Sequence, residues 1–343
     1  MKITGLKIVI IVIAATFFLL PEARAQDIHF TQIQATPLLL NPANTGISDY
    51  DFRLVNNYRN QWRNIEAPYN TYSLSADKRL FVGRQTMGLG ASFVHDLSSG
   101  HHFIADKFYV SMSYSHFYRN HQFTLGIQPG LVFRHFNRQD ITFNSQFNSI
   151  DGTFSSSLPS NEYLLTDQLS YFDCNAGLLW RARIKKYQLA AGLAMYHLNR
   201  PVESFMKDAD NEHLPIRYNL HGNILIPLTE RVDLIPMALY SQTSGSREFV
   251  GGSLLGYSFE NATLPVKRLY ALALMRINPV RNMDALMIGG GIRILRFDLF
   301  ISYDINVSKL RDATNFYGAF EISLIYRTLH TQSKETTEPC YML

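Results

Sequence analysis

The stretch Asn315–Arg327 alternates with a period of two, and that period restricts the folds open to the chain. Phe316, Gly318, Phe320, Ile322, Leu324 and Tyr326 fall on one side. Tyr317, Ala319, Glu321, Ser323, Ile325 and Arg327 fall on the other. Successive side chains of a strand point to opposite faces. The first face is apolar with an aromatic at each end. The second mixes small, polar and charged groups. A soluble antiparallel sheet alternates too, with its apolar face inward. Recurrence in many strands, together with export signals at the terminus, favours a barrel in a membrane.

Both conditions are met. Lys2 and Lys7 precede an apolar run, Ile8 to Leu20, that is short for a membrane-spanning helix. Ala23-Arg24-Ala25 has the form of a cleavage site, so residues 1–25 read as a signal peptide and the mature chain as 318 residues (343 minus 25) from Gln26. Gln26 rather than Cys stands directly after the cleavage point, which argues against a lipid-anchored start. Cleavage removes three cations, Lys2, Lys7 and Arg24, and one anion, Glu22, lowering the net charge from +4 to +2. Such a near-neutral chain gives no support to nucleic-acid binding. The sequence holds 23 Phe and 19 Tyr against only 17% charged residues, which suits an apolar wall with aromatic girdles. Cys174 and Cys340 make no disulfide framework. They are free to pair in an oxidising compartment, but Cys174 falls on an apolar strand face. The closing Cys340-Tyr341-Met342-Leu343 matches a prenylation box that an exported chain does not meet.

Residues 26–50 do not read as a barrel strand. Pro37 and Pro42 oppose ladder pairing, and Asn41-Pro42-Ala43-Asn44-Thr45-Gly46 reads as turns. The segment is expected in the periplasm or packed into the barrel mouth as a plug-like lead-in. Strands are expected at Asp51–Trp62, Asn70–Lys78, Thr86–Leu97, Ile104–Arg119, His121–Asn137, Ser170–Arg183, Lys186–Leu198, Ile216–Leu228, Val232–Thr243, Arg247–Phe259, Arg268–Ile277, Ala285–Leu295, Phe297–Asn306 and Asn315–Arg327. About fourteen strands, an even number, suit a single-chain bacterial barrel spanning 51–327, with 328–343 a periplasmic tail. Tight connections at Asn120, Lys185, Thr229–Arg231 and Arg296 alternate with longer ones such as Arg138–Leu169 and Asn199–Pro215. That is the outer-membrane pattern of turns inside and loops outside. Leu80–Gln85 and Glu260–Lys267 are longer than simple turns and weaken it slightly. Phe300 breaks the alternation of its strand, and Asn56 shares a face with Phe52, Leu54 and Tyr58.

Few residues suggest chemistry. His95, Asp96, His101, His102 and Asp106 could together hold a transition metal, but a solvated loop explains them and no strict His-x-x-x-His spacing is present. His116 and the serines Ser111, Ser113 and Ser115 lie on opposite faces of one strand, which a nucleophile and its base cannot do. Gly88-x-Gly90 and Gly289-Gly290-Gly291 precede no helix, so they suit bulges, curvature or close packing against a large aromatic rather than phosphate binding. Asp173, Arg293, Asp298, Asp304 and Glu321 are expected to face the lumen, pairing across it or lining a pore. Phe143, Phe147 and Phe154 in the long connection suit a docked partner or the lumen. No cofactor, metal site or catalytic set is expected.

The motifs after the signal carry a family resemblance. Gln26-Asp27-Ile28-His29-Phe30-Thr31-Gln32 and Pro37-Leu38-Leu39-Leu40-Asn41-Pro42-Ala43 come first, then Asn57-Tyr58-Arg59-Asn60-Gln61-Trp62 and Thr71-Tyr72-Ser73-Leu74-Ser75-Ala76-Asp77. Together they resemble the opening of mature PorP/SprF-family proteins, although Ile28 stands where a proline is usual and Ile33 where an aromatic is. The resemblance implies a non-enzymatic outer-membrane component of type IX secretion. It also implies partners: periplasmic ring proteins, a peptidoglycan-binding lipoprotein and a secreted cargo such as a gliding adhesin. Asn41, Pro42, Asn57, Tyr58, Arg59, Asn60, Gln61, Trp62 and Asp77 are the motif residues. They are expected either to lock the first hairpin and the barrel mouth, with Arg59 bonding Asp77, or to form a docking surface. A diffusive porin or small-solute transporter is the alternative. It would show an open polar lumen with charged rings.

Overall fold

The computed structural model describes residues 30–47, 50–63, 68–82, 85–98, 103–137, 146–148, 152–155, 166–205, 213–259, 264–278, 282–308 and 317–328. The expected signal peptide, residues 26–29 of the lead-in, His101, His102, Phe143, Asn315, Phe316, Cys340 and the tail beyond Thr328 lie outside them.

The strands are β1 (Phe52–Gln61), β2 (Tyr69–Val82), β3 (Gln85–Ser98), β4 (Phe103–Tyr118), β5 (His121–Phe136), β6 (Phe147–Asn148), β7 (Thr153–Phe154), β8 (Gln168–Ile184), β9 (Tyr187–Tyr196) and β10 (Arg217–Pro227). They continue as β11 (Val232–Thr243), β12 (Ser246–Ser258), β13 (Val266–Asn278), β14 (Asn282–Ile294), β15 (Phe297–Asn306) and β16 (Tyr317–Arg327). Fourteen of these form one closed antiparallel barrel in which each strand pairs with its sequence neighbour. β1 completes the ring by pairing with β16, from Arg53 opposite Arg327 to Gln61 opposite Ala319. Closure leaves no sheet edge, the condition for strands to span hydrocarbon. All fourteen expected strands are present. β6 and β7 form a small separate hairpin inside the long connection, which the sequence reading missed.

Alternation sets the two faces. Leu125, Leu220 and Ile288 are each more than half exposed on the outside, while Ser111, Ser115 and Ser323 are buried within. A surface so rich in exposed Leu, Ile and Phe is matched by lipid rather than by water. β2 runs further than expected, to Val82, which pairs with Gln85. The β2–β3 connection is therefore a two-residue link like those at 119–120, 185–186 and 295–296. The β12–β13 connection stays longer. These links share one end of the barrel, the turn end, with the start of β1 and the end of β16. The 31-residue β5–β8 connection and the 20-residue β9–β10 connection leave from the other, the loop end.

The interior is two-sided. From β10 to β16 its wall is largely apolar: Leu225, Ile235, Met237, Leu239, Leu254, Leu272, Leu274 and Met287 form one buried cluster with Ile33 and Ala35. Phe300 belongs to this cluster and stacks on Tyr270 at 4.9 Å between ring centroids, which accounts for its break in the alternation. From β2 to β8 the wall is polar and small, with Ser73, Ser75, Ser92, Ser113, Thr124 and Asn175 buried. Phe30–Ile47 fills the space between as short helical turns, Ile33–Ala35, Pro37–Leu40 and Pro42–Asn44. Pro at the start of the second and third turns suits a helix N-terminus, where the absent N–H has no partner to lose. A fully buried Leu or Ile such as Leu38 stabilises this packing by about 1.5–3 kcal/mol.

Candidate functional site

The lumen segment is held by two clasps and a line of hydrogen bonds, and the candidate site is built from them. The first clasp centres on Arg59, which points inward from β1 and is 2% exposed. Its guanidinium pairs with Asp304 on β15 at 2.9 Å and with Glu321 on β16 at 3.1 Å. Glu321 also accepts from two backbone N–H groups of the segment, Thr31 at 2.7 Å and Gln32 at 3.0 Å. Thr31 Oγ1 accepts from Arg59 Nη1 and donates to Asp304 at 2.8 Å. Arg276 contributes a second cation, 3.4 Å from Asp304 and 2.7 Å from Asp284. Such a cluster is tolerated away from water because each charge meets an opposite charge or a directed donor.

The second clasp lies toward the turn end. Arg53 makes a two-pronged pair with Asp77, at 2.8 and 2.9 Å. Asp77 accepts from Gly46 N–H at 2.7 Å, and Arg53 donates to the Asn44 carbonyl at 3.1 Å. The expected Arg59–Asp77 bond is therefore a correction. Asp77 sits opposite Arg53 and Arg59 opposite Thr71, six residues apart along β1. At about 3.3 Å per residue that is roughly 20 Å, beyond any side-chain bond.

Between the clasps, Asn41 is fully buried. Its Oδ1 accepts from Ala43 N–H at 2.8 Å, capping the Pro42–Asn44 turn, and its Nδ2 donates to the Leu178 carbonyl at 3.0 Å. Tyr196 donates to the Leu40 carbonyl at 2.6 Å, Gln128 to that of Leu38 at 3.2 Å, and Asn57 to that of Ala35 at 3.2 Å. These bonds satisfy carbonyls that such short helical turns leave open. Gly126 lets the segment approach, because a Cβ there would collide with the backbone of Pro42 and Ala43. Gly88 plays the same part against Thr45, and Gly291 makes room for the ring of Phe300.

The motif residues thus divide. Asn41, Pro42, Asn57, Arg59 and Asp77 are buried around the lumen segment. Tyr58, Asn60, Gln61 and Trp62 lie at the loop-end rim. Tyr58 stacks against Tyr72 at 4.8 Å, Asn60 donates to Asn70 at 2.6 Å, and Trp62 meets Tyr69 edge-on at 5.5 Å. Trp62 and Gln61 border a vestibule of ≈ 510 Å³, shared with Tyr69, Phe103, Lys107, Arg134 and Glu203. Arg134 and Glu203 form an ion pair, which Tyr171 joins at 3.0 Å from Glu203.

The lumen-facing charges expected from sequence are paired. Arg293 bonds Asp298 at 2.5 Å, and Asp173 accepts from Tyr109 at 2.8 Å and contacts His197 at 3.0 Å. His95 contacts Asp106 at 2.6 Å, Asp96 accepts from Thr71, and no metal-holding group of three occurs among the described residues. His116 lies on the outer face, away from the buried Ser111, Ser113 and Ser115. Sequence reading missed Arg53, Thr31 and Gln32 as clasp residues. Thr31 and Gln32 already stood in the opening motif, but nothing local marked their partners some 270–290 residues away.

Residues 22–326 match the family described as type IX secretion system membrane protein PorP/SprF. The chain belongs to the PorP/SprF family. The clasps lie within the stretch that this family shares, and the fold is that of an outer-membrane barrel. No curated protein matches the chain. Among solved structures it is similar to the Ralstonia pickettii toluene transporter TbuX, at 9% identity and a TM-score of 0.49, over 86% of this chain and 94% of that one. It is also similar to the TodX monoaromatic hydrocarbon channel deltaS2 mutant, at 10% and 0.47 over 86% and 94%. The beta domain of the Bordetella autotransporter BrkA is similar at 10% and 0.43, over 81% and 99%. Likenesses of this size carry no functional argument. Family and fold together make the chain a barrel component of type IX secretion.

Proposed function

We propose that this chain is a plugged, non-enzymatic outer-membrane anchor that assists the secretion or surface attachment of cargo such as a gliding adhesin. The filled lumen carries the reading. Phe30–Ile47 is bonded to β1, β2, β15 and β16, and buried ion pairs stand where a porin needs a free path. In this reading residues 1–25 direct export, and the turn end, with the start of β1 and the end of β16, faces the periplasm. Ring proteins and a peptidoglycan-binding lipoprotein meet the chain there. Cargo meets the loop end, where Tyr58, Asn60, Gln61 and Trp62 offer aromatic and amide groups of the kind enriched at docking surfaces.

Deleting the gene and quantifying surface proteins tests the proposal. Loss of one adhesin marks a dedicated role, and loss of many secreted proteins a role in the core machine. An unchanged surface with altered small-solute uptake overturns the reading in favour of a diffusive pore.

A further inference from the structure

A second cavity, of ≈ 110 Å³, lies on the turn-end side of the lumen segment. It is walled by Ile33, Leu40, Leu225, Ile235, Met237 and Leu254. Apolar cavities of this order elsewhere hold a six-carbon ring. Its polar rim is one-signed: Arg53, Arg181, Arg268, Arg293 and Arg327 line it, and no Asp or Glu does. Aspartates placed outside the lining answer four of these arginines, Asp77 for Arg53, Asp233 for Arg268 and Asp298 for Arg293 and Arg327.

Three lining residues, Gln34, Arg268 and Arg327, carry buried polar atoms without a hydrogen bond, although that atom of Arg327 is ion-paired with Asp298 at 3.0 Å. Arg268 is 8% exposed and its Nε has no hydrogen-bond partner, although its Nη2 pairs with Asp233 at 2.6 Å. Both amide atoms of Gln34, on the lumen segment, are buried and unbonded. Buried donors without acceptors are uncommon and call for a partner. A largely apolar pocket lined by unsatisfied polar groups and a cationic rim fits a small amphiphile. Its head is an anion, drawn by guanidinium groups, and a carboxylate matches their fork. Its tail is a short hydrocarbon.

We propose that this cavity binds a carboxylic acid with a short unbranched apolar chain, its carboxylate taken by Arg268 and Gln34 and its tail by the Leu225–Ile235–Leu254 wall. The acid enters from the turn end, since the Thr31–Gln32 clasp stands between the cavity and the loop-end vestibule.

The test uses the full chain in phospholipid nanodiscs and equilibrium dialysis of labelled hexanoate and labelled hexanol, with empty discs as reference. One saturable hexanoate site is expected, at least tenfold tighter than any for hexanol. Arg268→Gln weakens hexanoate at least tenfold and leaves hexanol unchanged. Leu254→Trp fills the cavity and abolishes the site, and Ile235→Phe serves if the tryptophan variant fails the heat-shift check for a folded barrel. No saturable uptake above empty discs overturns the proposal. So does hexanol binding as tightly as hexanoate, or hexanoate binding that survives both filling variants.

Discussion

Arg59 and Glu321 face each other across the seam where the first and last strands close the barrel, 3.1 Å apart and almost wholly buried. The same carboxylate holds the backbone of Thr31 and Gln32. One ion pair therefore joins barrel closure to retention of the lumen segment.

Arg59→Ala leaves Glu321 and Asp304 buried with much of their compensation gone. A loss of about 3–5 kcal/mol is expected, as for other broken buried pairs. Denaturant unfolding of the purified barrel, followed by its heat-shifted migration on a gel, measures it. A loss below 1 kcal/mol would contradict the clasp.

The two clasps are far enough apart to act independently. Asp77→Asn breaks the Arg53 pair and weakens acceptance from Gly46, with a loss of similar size. Combined with Arg59→Ala, the effects are expected to add within about 0.5 kcal/mol. Strong non-additivity would mean that the segment leaves as one unit.

Gly126→Val places methyl groups in the backbone of Pro42 and Ala43. The barrel strands have no such conflict on the outer face, so the expected outcome is a folded barrel with a displaced segment. Planar-bilayer recording is expected to show stable conductance steps that the unmodified chain lacks. A silent variant that retains protease protection of residues 30–47 would contradict it.

Leu125→Arg sets a charge on the outer face, where Leu125 is 53% exposed. In a bilayer the expected cost is ~2–4 kcal/mol near mid-depth. In a water-facing sheet it would be close to zero. Unfolding in lipid vesicles separates the two.

Trp62→Ala removes the largest aromatic at the vestibule rim without touching either clasp. If cargo docks there, about 2 kcal/mol or more of attachment is lost while unfolding is unchanged, as at other aromatic anchor points. Surface-retained adhesin against whole-cell adhesin gives the readout.

Much of the barrel was legible in the sequence because alternation depends only on neighbours. Phe108 to Tyr118 showed its outside and inside faces directly, and the structure keeps them. Phe300 looked like an error in the pattern because Tyr270, its partner, belongs to a strand two positions back. Pro37 and Pro42 excluded residues 26–50 from the strands, yet gave no hint of which wall residues grip them. The Arg59 partner was misassigned for the same reason. Asp77 was close in sequence, whereas Glu321 becomes adjacent only after the whole ring has formed.

That dependence on the ring orders the biosynthesis of the protein. Asp304 and Glu321 are among the last barrel residues to be synthesised, and Thr31 and Gln32 are among the first of the lumen segment. The Thr31–Gln32 end of the stopper must wait, ungripped, until the final two staves arrive, while Arg53 and Asp77 of the first two hold its other end. Sealing the wall and fastening that end of the cork then draw on the same carboxylate, Glu321.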